Sequence, residues 1–301
     1  MKNIDTLHIE LTDKCNLSCN YCYQRYLGQS DLPNSNSFKK SELDIIKNSS
    51  INSVNFTGGE PTLCGTELFT LAKAFSESGK NIVVTTNGLK RIASLEYINT
   101  IVVSLDGFFT EMNSNRNVNL QQYKLIIDNI LYYLKNGINV QLNIVITRYN
   151  LHKFSNFIKT NQFGDSVSYS VIVVSDKTVD KNFVVSDTDD YCFIANEIFD
   201  MYKFFNYHIK LRSNLMTKSS FIDTFSKEFP ITFFATYSVP TNQYRYVTNE
   251  FNGLDALCKS YYTTSQMITE EIIRGLCNLN SDDWFNPYSW AELIEKTSDE
   301  V

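Results

Sequence analysis

Three cysteines fall within eight residues in one segment, Thr12-Asp13-Lys14-Cys15-Asn16-Leu17-Ser18-Cys19-Asn20-Tyr21-Cys22-Tyr23. Their spacing is C-x3-C-x2-C, and the segment directly follows a strand-like run from Thr6 to Leu11. Three thiolates on one loop can hold three corners of a cubane iron–sulfur cluster. A structural zinc site closes with four protein ligands, whereas three cysteines leave one iron open to a substrate or cosubstrate. The alternative is a zinc knuckle that takes its fourth cysteine from elsewhere in the chain.

The chain beyond this loop alternates strand-like and helix-like patterns. The clearest helical pattern runs from Leu120 to Lys135 and stops at Gly137. Its predicted apolar face is Leu120, Tyr123, Ile127, Ile130, Leu131 and Leu134. Five further short β-branched runs, typical of buried parallel strands, cover residues 54–57, 82–85, 101–104, 140–146 and 167–174. This alternation predicts an α/β fold of parallel strand–helix units whose ligands bind beyond the carboxyl ends of the strands.

The character of the sequence changes after Val174. Residues 175–190 are polar, residues 191–205 have a helical pattern, and residues 213–250 are rich in aromatic side chains without a clear period. We therefore predict two domains, a core at residues 1–185 and a small α+β extension at residues 186–301 that covers the substrate.

Composition excludes several classes of protein. The chain has 301 residues, of which 43% are hydrophobic, so a sizeable core can form and wholesale disorder is excluded. Lys and Arg number 27 against 33 Asp and Glu, a net charge of −6, which argues against nucleic acid or an anionic membrane as a partner. No apolar run reaches the roughly 18 residues of a membrane span, and no secretory signal begins the chain. We expect a cytoplasmic protein, in which seven cysteines indicate metal or redox chemistry more than disulfides.

The cysteine loop, read as C-x3-C-x-aromatic-C with Tyr21 as the aromatic residue, resembles the signature of the radical S-adenosylmethionine (radical SAM) superfamily. Strand two ends in Thr57-Gly58-Gly59-Glu60-Pro61, which is similar to the family's GGE motif for the methionine amino group of SAM. Glycine permits close backbone approach to a ligand, and a carboxylate suits an ammonium group. Strand three ends in Thr85-Thr86-Asn87-Gly88, as in many relatives.

The exits of strands four and five extend the resemblance. Ser104-Leu105-Asp106-Gly107 is similar to the S-x-D-G of the peptide-modifying branch, where the serine contacts SAM. Arg116 lies where relatives often carry an arginine for the SAM carboxylate, and Thr147 and Asn150 also follow the family pattern. The resemblance implies a partial (β/α)6 barrel with a [4Fe–4S] cluster on Cys15, Cys19 and Cys22. It also implies SAM contacts from Tyr21, Gly58, Gly59, Glu60, Asn87, Ser104, Asp106 and Arg116.

The resemblance also implies a reaction. In this family the reduced cluster passes one electron to SAM, which breaks into methionine and a 5′-deoxyadenosyl radical that abstracts a hydrogen atom from the substrate. A flavodoxin- or ferredoxin-type electron donor is implied as a partner. The cofactors carry the difficult chemistry, while the protein positions them and excludes competing reactions.

The tail resembles the SPASM/twitch branch, whose members largely modify ribosomally made peptides. Cys258 and Cys277 bracket a segment similar to the hairpin that opens the auxiliary-cluster region of that branch, but no cysteine follows Cys277. We therefore expect a truncated hairpin in preference to a second, auxiliary cluster. Because the chain starts almost on strand one, we expect a peptide leader to dock on the barrel, on the C-terminal region or on a separate protein.

The leading hypothesis is an enzyme that cross-links, forms thioethers in, or epimerises a peptide. The alternatives are a radical SAM enzyme for a small metabolite and a non-catalytic iron–sulfur or zinc protein.

Among the remaining residues, Cys64 is a candidate to face the site, although an inert buried thiol is the default. Cys192 is expected in the core, and none of the three histidines is expected to be catalytic. The aromatic stretch from Phe221 to Tyr246 is expected to be core in preference to a peptide dock.

Overall fold

The structure is a computed structural model that describes most of the first 205 residues and short segments beyond them. The predictions for Cys258, Cys277 and most of the 221–246 stretch lie outside the described residues. Those residues are 4–22, 24, 37–174, 180–185, 188–205, 211–213, 216–217, 235–240, 243–246, 249–251 and 284–285.

A sheet of ten strands forms the framework of the described chain, in the order β11-β10-β9-β1-β2-β3-β4-β5-β6-β7. Strand β9 and strands β1 to β7 all run in the same direction, each parallel to the next along that part of the sheet, whereas β10 is antiparallel to both β9 and β11. The first six strands confirm the six that the sequence predicts. The bounds are β1 Thr6–Thr12, β2 Ser53–Gly58, β3 Asn81–Thr86, β4 Thr100–Ser104, β5 Asn139–Ile146, β6 Ser168–Val173, β7 Leu211–Ser213, β9 Ala235–Ser238, β10 Gln243–Tyr246 and β11 Asn249–Phe251.

Within the described residues, six α-helices connect or follow these strands. They are α1 Lys40–Lys47, α2 Gly65–Ser76, α3 Phe109–Arg116, α4 Leu120–Lys135, α5 Phe154–Thr160 and α6 Thr188–Phe204. Helices α3 and α4 both lie between β4 and β5, while residues 87–99 join β3 to β4 without a helix. This order of elements confirms the α/β class and the strand–helix units of a partial barrel.

The two faces of the sheet differ in polarity. One face carries buried apolar side chains that pack into the main core, such as Leu7, Ile9, Val54 and Phe56. Residues paired in a parallel register point to the same side of a sheet, so the register places a set of polar side chains on the other, inner face. That set is His8, Glu10, Asn55, Thr57, Thr85, Ser104, Gln141 and Asn143. A hydrogen bond of 3.0 Å from Thr85 Oγ1 to Asn55 Oδ1 links two members of the set.

Helix α4 has the predicted bounds, and Tyr123, Ile127, Ile130 and Leu134 of its predicted face lie in or against the core, but the buried face is rotated from the predicted one. Its buried residues are Ile126, Asn129, Ile130 and Tyr133, whereas Leu120 and Leu131 of the predicted face are 49% and 43% exposed. Two polar groups explain the shift. Asn129 Nδ2 donates to Gly88 O at 2.8 Å and the Tyr133 hydroxyl accepts from Ile92 N at 3.0 Å, so both hold the segment after β3. A pattern of apolar residues alone cannot show that an asparagine faces inward.

Strands on both sides of residue 185 belong to the same sheet. Strand β7 pairs with β6, and β9 pairs with β1. A separate two-stranded sheet joins β8, Met216–Thr217, to β12, Trp284–Phe285. The predicted helix near residues 191–205 is α6, in which Cys192 is half-buried. The division into domains at residue 185 stays a prediction.

Candidate active site at the carboxyl ends of the strands

The cysteine loop leaves β1 at the edge of the sheet where ligands bind in parallel α/β folds. Cys15 is exposed, whereas Cys19 and Cys22 are half-buried. Burial raises the pKa of the Cys19 thiol to about 12, and the positive charge of Arg116 acts in the opposite direction. The neighbouring thiols of Cys22 and Cys15 also raise the pKa of Cys19 electrostatically.

The Gly-Gly-Glu segment pairs with the start of the cysteine loop. Gly59 N donates to Thr12 O at 2.6 Å, and Glu60 N donates to Lys14 O at 2.8 Å. A side chain at Gly59 would collide with the carbonyl of Lys14. The preceding Gly58 has a φ of 117°, which side chains rarely allow. Both glycines are therefore required for β2 to end against the root of the loop.

Glu60 is fully buried and lies among neutral hydrogen-bond donors. Its Oε1 accepts from Thr62 N at 3.1 Å, Thr62 Oγ1 at 2.6 Å and Thr86 Oγ1 at 2.7 Å. Its Oε2 accepts from Asn87 N at 2.7 Å. No cation forms an ion pair with it in the part of the chain that the structure describes.

Asn87, at the exit of β3, contacts the cysteine loop. Its Nδ2 lies 2.7 Å from Asn16 Oδ1 and 3.8 Å from Cys15 Sγ. The same sulfur accepts from Leu17 N at 3.5 Å. Asn87 therefore holds the first cysteine of the loop.

Asp106, at the exit of β4, is also fully buried but has a cation as its main partner. Arg116 binds it through two hydrogen bonds, Nε to Oδ2 and Nη2 to Oδ1, each 2.9 Å long. Tyr21 Oη donates to Oδ2 at 2.7 Å, Val145 N donates to Oδ1 at 3.0 Å, and Asn115 Nδ2 lies 3.4 Å from Oδ2. Burial raises the pKa of Tyr21 well above its ordinary value, so the phenol stays protonated and donates.

The exit of β5 is tied to the same carboxylate. Asn150 Nδ2 donates to Asp106 O at 3.0 Å and to Val145 O at 2.9 Å. Thr147 Oγ1 donates to Asn115 Oδ1 at 3.0 Å. The two residues that match the family pattern after β5 thus fix the chain around Asp106.

The structure brings most of the predicted site residues together but gives several of them protein partners. Asp106 and Arg116 bind each other, and Tyr21 binds Asp106. Ser104 ends β4 on the inner face. Their predicted contacts with SAM stay predictions. Cys64 is half-buried at the start of α2, where its thiol is hydrogen-bonded to Thr12 and burial raises its pKa.

Sequence reasoning missed two groups of residues near the loop. Glu10, on the inner face, accepts from Gln24 Nε2 at 2.8 Å, just after the last cysteine of the loop. Asn20 and Asn117 link the loop to the end of α3. Asparagine often ends a helix in a left-handed backbone conformation, so Asn117 could have been predicted from the sequence as the end of α3. In the structure Asn117 has this conformation, with a φ of 56°.

The donor set fits an iron–sulfur cluster. Three thiols lie on one loop, and thiolates are the usual ligands of such clusters. Asp13, which precedes Lys14 and Cys15, is buried, and both of its carboxylate oxygens have no hydrogen-bond partner among the described residues. Within those residues no group of three or more His, Cys, Asp or Glu side chains is arranged around a single metal ion. A cubane cluster does not require such an arrangement, because each of its protein ligands binds a different iron.

Comparison with known proteins gives a match to a family model described as the Radical SAM superfamily, over residues 9–160. A GTP 3′,8-cyclase of Staphylococcus carnosus is 28% identical over 162 residues, covering 48% of this chain and 46% of that protein. An S-adenosylmethionine-dependent nucleotide dehydratase of Flammeovirga pacifica is 25% identical over 167 residues, covering 50% and 56%. The chain thus spans about half the length of the curated relatives that it matches.

Solved structures match over more of the chain. Native anSMEcpe with bound AdoMet has a TM-score of 0.63 at 17% identity and covers 98% of this chain and 97% of that one. Streptococcus suis SuiB bound to S-adenosylmethionine has a TM-score of 0.62 at 16% identity and covers 86% and 64%. At these identities the likeness shows the fold. None of the described helices is long and apolar enough to cross a membrane.

Proposed function

Because the chain belongs to the radical SAM superfamily, we propose that it reductively cleaves SAM and uses the resulting 5′-deoxyadenosyl radical to abstract a hydrogen atom from a substrate. The cofactors are a [4Fe–4S] cluster and SAM; when bound, they supply the electron and the radical. The observation that carries the proposal is the three-thiol loop held between two fully buried carboxylates, Glu60 and Asp106.

Cys15, Cys19 and Cys22 would hold the cluster. Metal binding requires deprotonated thiols, and Arg116 is the cation that acts on Cys19 in that direction. The amide of Asn87 beside Cys15 Sγ would donate to a bound thiolate, which is a recognised way to tune the potential of a cluster.

Glu60 and Gly59 would bind the methionine part of SAM. Glu60 is a buried carboxylate with neutral donors and no described counter-ion, so an ammonium group placed beside it gains a charge-assisted hydrogen bond. Gly58 and Gly59 let the ligand approach the backbone. Arg116 uses two of its five N–H donors on Asp106, which leaves donors for the SAM carboxylate.

Tyr21, Asn87, Ser104 and Asp106 complete the proposed SAM site. Ser104 ends β4 on the inner face, as a residue that contacts the cosubstrate would. Tyr21 and Asp106 would act together, since the hydrogen bond between them fixes the ring at the end of the cysteine loop.

The substrate that we favour is a ribosomally made peptide, modified by cross-linking, thioether formation or epimerisation. The support is that anSMEcpe, whose fold matches along almost the whole of both chains, is also known with a bound peptide, Kp18Cys. The curated relatives named for nucleotide chemistry match only about half of this chain, and that half contains the motifs shared across the superfamily. A small polar metabolite such as a nucleotide is the second candidate, because those relatives are the ones that match in sequence.

The remaining parts of the proposal concern the C-terminal region and partners. Residues 186–301 would form a truncated SPASM/twitch-like extension over the substrate, with Cys258 and Cys277 as the ends of a hairpin and not as cluster ligands. A separate leader-binding protein would present the peptide. A flavodoxin- or ferredoxin-type donor would approach the loop where Cys15 is exposed.

Anaerobic reconstitution followed by reduction with dithionite tests the proposal. We expect about four irons per chain and release of 5′-deoxyadenosine from SAM. Replacing Cys15, Cys19 and Cys22 together by Ala should abolish both, whereas Cys64→Ala or Cys192→Ala should abolish neither. Cleavage of SAM by the triple variant would overturn the assignment.

Deuterium transfer identifies the substrate class. We expect deuterium from a labelled precursor peptide, encoded beside this gene, to appear in 5′-deoxyadenosine. Transfer from labelled GTP or another nucleotide, with none from the peptide, would favour the second candidate.

A further inference from the structure

The end of helix α3 contacts the cysteine loop through four hydrogen bonds. Asn20 N donates to Asn115 O at 3.0 Å, and Asn20 Nδ2 donates to Ser114 O at 2.9 Å. From the helix side, Asn117 Nδ2 donates to Ser18 O at 2.6 Å and to Asn20 Oδ1 at 3.2 Å. We call residues 114–117 the clamp.

The clamp uses groups that a helix end leaves free. The last carbonyls of a helix have no partner within the helix, so those of Ser114 and Asn115 can accept from Asn20. Asn117 follows the last residue of α3 in a left-handed conformation, with a φ of 56° and a ψ of 35°. Asparagine is one of the few residues besides glycine that visits this region. That backbone turn places its amide against the loop.

A second attachment lies next to the first. Arg116, the last residue of α3, binds Asp106, which accepts the hydroxyl of Tyr21. The Arg116 guanidinium also lies 5.3 Å from the centre of the Tyr21 ring. Ser18, Asn20 and Tyr21 are therefore all held from α3, and these residues flank Cys19 and precede Cys22.

We propose that residues 114–117 are a positioning element that sets the conformation of the Cys19–Cys22 segment before any cluster binds. The effect of the clamp on cluster binding rests on the proposed function, whereas the contacts between the clamp and the loop exist in the chain without a cluster. A loop already held in its bound shape loses less conformational freedom when a ligand binds. The clamp should therefore slow the release of iron. It should also reduce the number of different loop conformations that surround a bound cluster.

Variants of Asn117 and Asn20 remove hydrogen bonds of the clamp while keeping the backbone conformation of the helix end. Asn117→Gly keeps the left-handed backbone without strain and removes the donor. Asn117→Asp keeps the shape and tolerates the same backbone, but it also cannot donate to Ser18 O. Of the four hydrogen bonds described above, Asn20→Ala added to Asn117→Gly leaves the backbone one from Asn20 N to Asn115 O. The matched control is Asn113→Ala on the same helix, whose side chain donates to Val118 O and not to the loop.

Two measurements are compared with the wild-type chain. Amide hydrogen exchange of residues 18–22 is measured in the cluster-free chain, and release of iron to a chelator is measured after reconstitution. We expect both to be about tenfold faster in the Asn117→Gly, Asn20→Ala variant, with unchanged thermal unfolding and a broadened electron paramagnetic resonance signal of the reduced cluster. Asn117→Asp should show most of this effect, and Asn113→Ala should match the wild type.

The proposal is wrong if the double variant exchanges its loop amides at the wild-type rate. It is also wrong if loop exchange rises but iron release and the resonance signal do not change. Failure of the wild-type chain to take up iron would instead overturn the proposed function, because exchange in the cluster-free chain decides the clamp by itself.

Discussion

Two buried carboxylates, Glu60 at the exit of β2 and Asp106 at the exit of β4, are stabilised in different ways. Glu60 accepts four hydrogen bonds from hydroxyl and backbone groups, and no described cation pairs with it. Asp106 pairs with Arg116 through two hydrogen bonds and accepts further donors around it. The first region holds a buried negative charge, whereas the second is close to neutral.

This difference indicates that Glu60 and Asp106 have separate roles, although both belong to motifs that resemble those of the family. A buried carboxylate without a counter-ion attracts a positively charged ligand strongly, because the surrounding medium screens charge poorly. A carboxylate already paired with arginine offers little net attraction and instead holds chain segments together. We therefore expect substitutions at Asp106 to change stability most and substitutions at Glu60 to change ligand binding most.

The largest effect is expected for Asp106→Asn. The change leaves the buried Arg116 without its charge partner, which should lower the free energy of unfolding by about 3–5 kcal/mol. Urea unfolding, followed by circular dichroism, measures it. The double variant Asp106→Asn, Arg116→Gln removes the orphaned charge and should recover part of the loss. A single variant that is as stable as the wild type would contradict the idea that this pair holds the site.

The imidazole of His8, half-buried on the inner face of the sheet, is a third titratable group to which the same reasoning applies. Burial lowers its pKa from 6.5 to about 4, so the folded chain keeps it neutral while the unfolded chain protonates near pH 6.5. Its contribution to stability is therefore complete above pH 6.5 and is lost as the pH falls towards 4. The loss should reach about 2 kcal/mol at pH 5.

Unfolding in urea at pH 7.5 and pH 5 measures the contribution of His8. His8→Gln should remove that part of the pH dependence, and the exposed His152→Gln should keep it. If the free energy of unfolding depends on pH equally in the wild type and in both variants, burial does not lower the pKa of His8.

Glu60→Gln should weaken SAM binding more than it weakens the fold. Losing the charge-assisted hydrogen bond should cost about 1.5–3 kcal/mol of binding, or roughly ten- to a hundred-fold in Kd. Stability should fall less than in Asp106→Asn, because no buried cation is left behind. Isothermal titration of the reconstituted protein with SAM measures the first effect. Wild-type affinity in this variant would mean that the motif is only a turn.

The smallest effect is expected at the C-terminal cysteines. Cys258→Ala combined with Cys277→Ala should keep about four irons per chain and should still cleave SAM, since we propose that these residues are not cluster ligands. Iron analysis after reconstitution measures this. Loss of about half of the iron, from about eight atoms to about four, would instead establish an auxiliary cluster.

The six strands and the order of the site loops were predictable because they depend on local patterns. Short β-branched runs set the strands, and glycines or cysteines follow the first four of them at recognisable spacings. The cysteine loop, Glu60 and Asp106 were accordingly placed at the correct edge of the sheet.

The partners of these residues were not predictable, because they come from far along the chain. Tyr21 meets Asp106 across 85 positions, and Asn117 meets Ser18 across 99. The strand β9, which pairs with β1, lies in an aromatic stretch that we expected to be core without assigning strands to it. The face of α4 was predictable only in part for a related reason, since Asn129 turns inward to bind a distant carbonyl.

The pairing of β9 with β1 has a consequence for synthesis of the protein. When β6 ends at residue 173, all six strands of the predicted core exist, but β1 still lacks its neighbour at residues 235–238. At about 5–20 residues per second, a ribosome needs roughly 3–12 seconds to make the intervening segment. During that interval the nascent chain presents an open strand edge beside its three-thiol loop. An unpaired edge invites pairing with other chains, so this stage of translation is when a chaperone would protect the protein most.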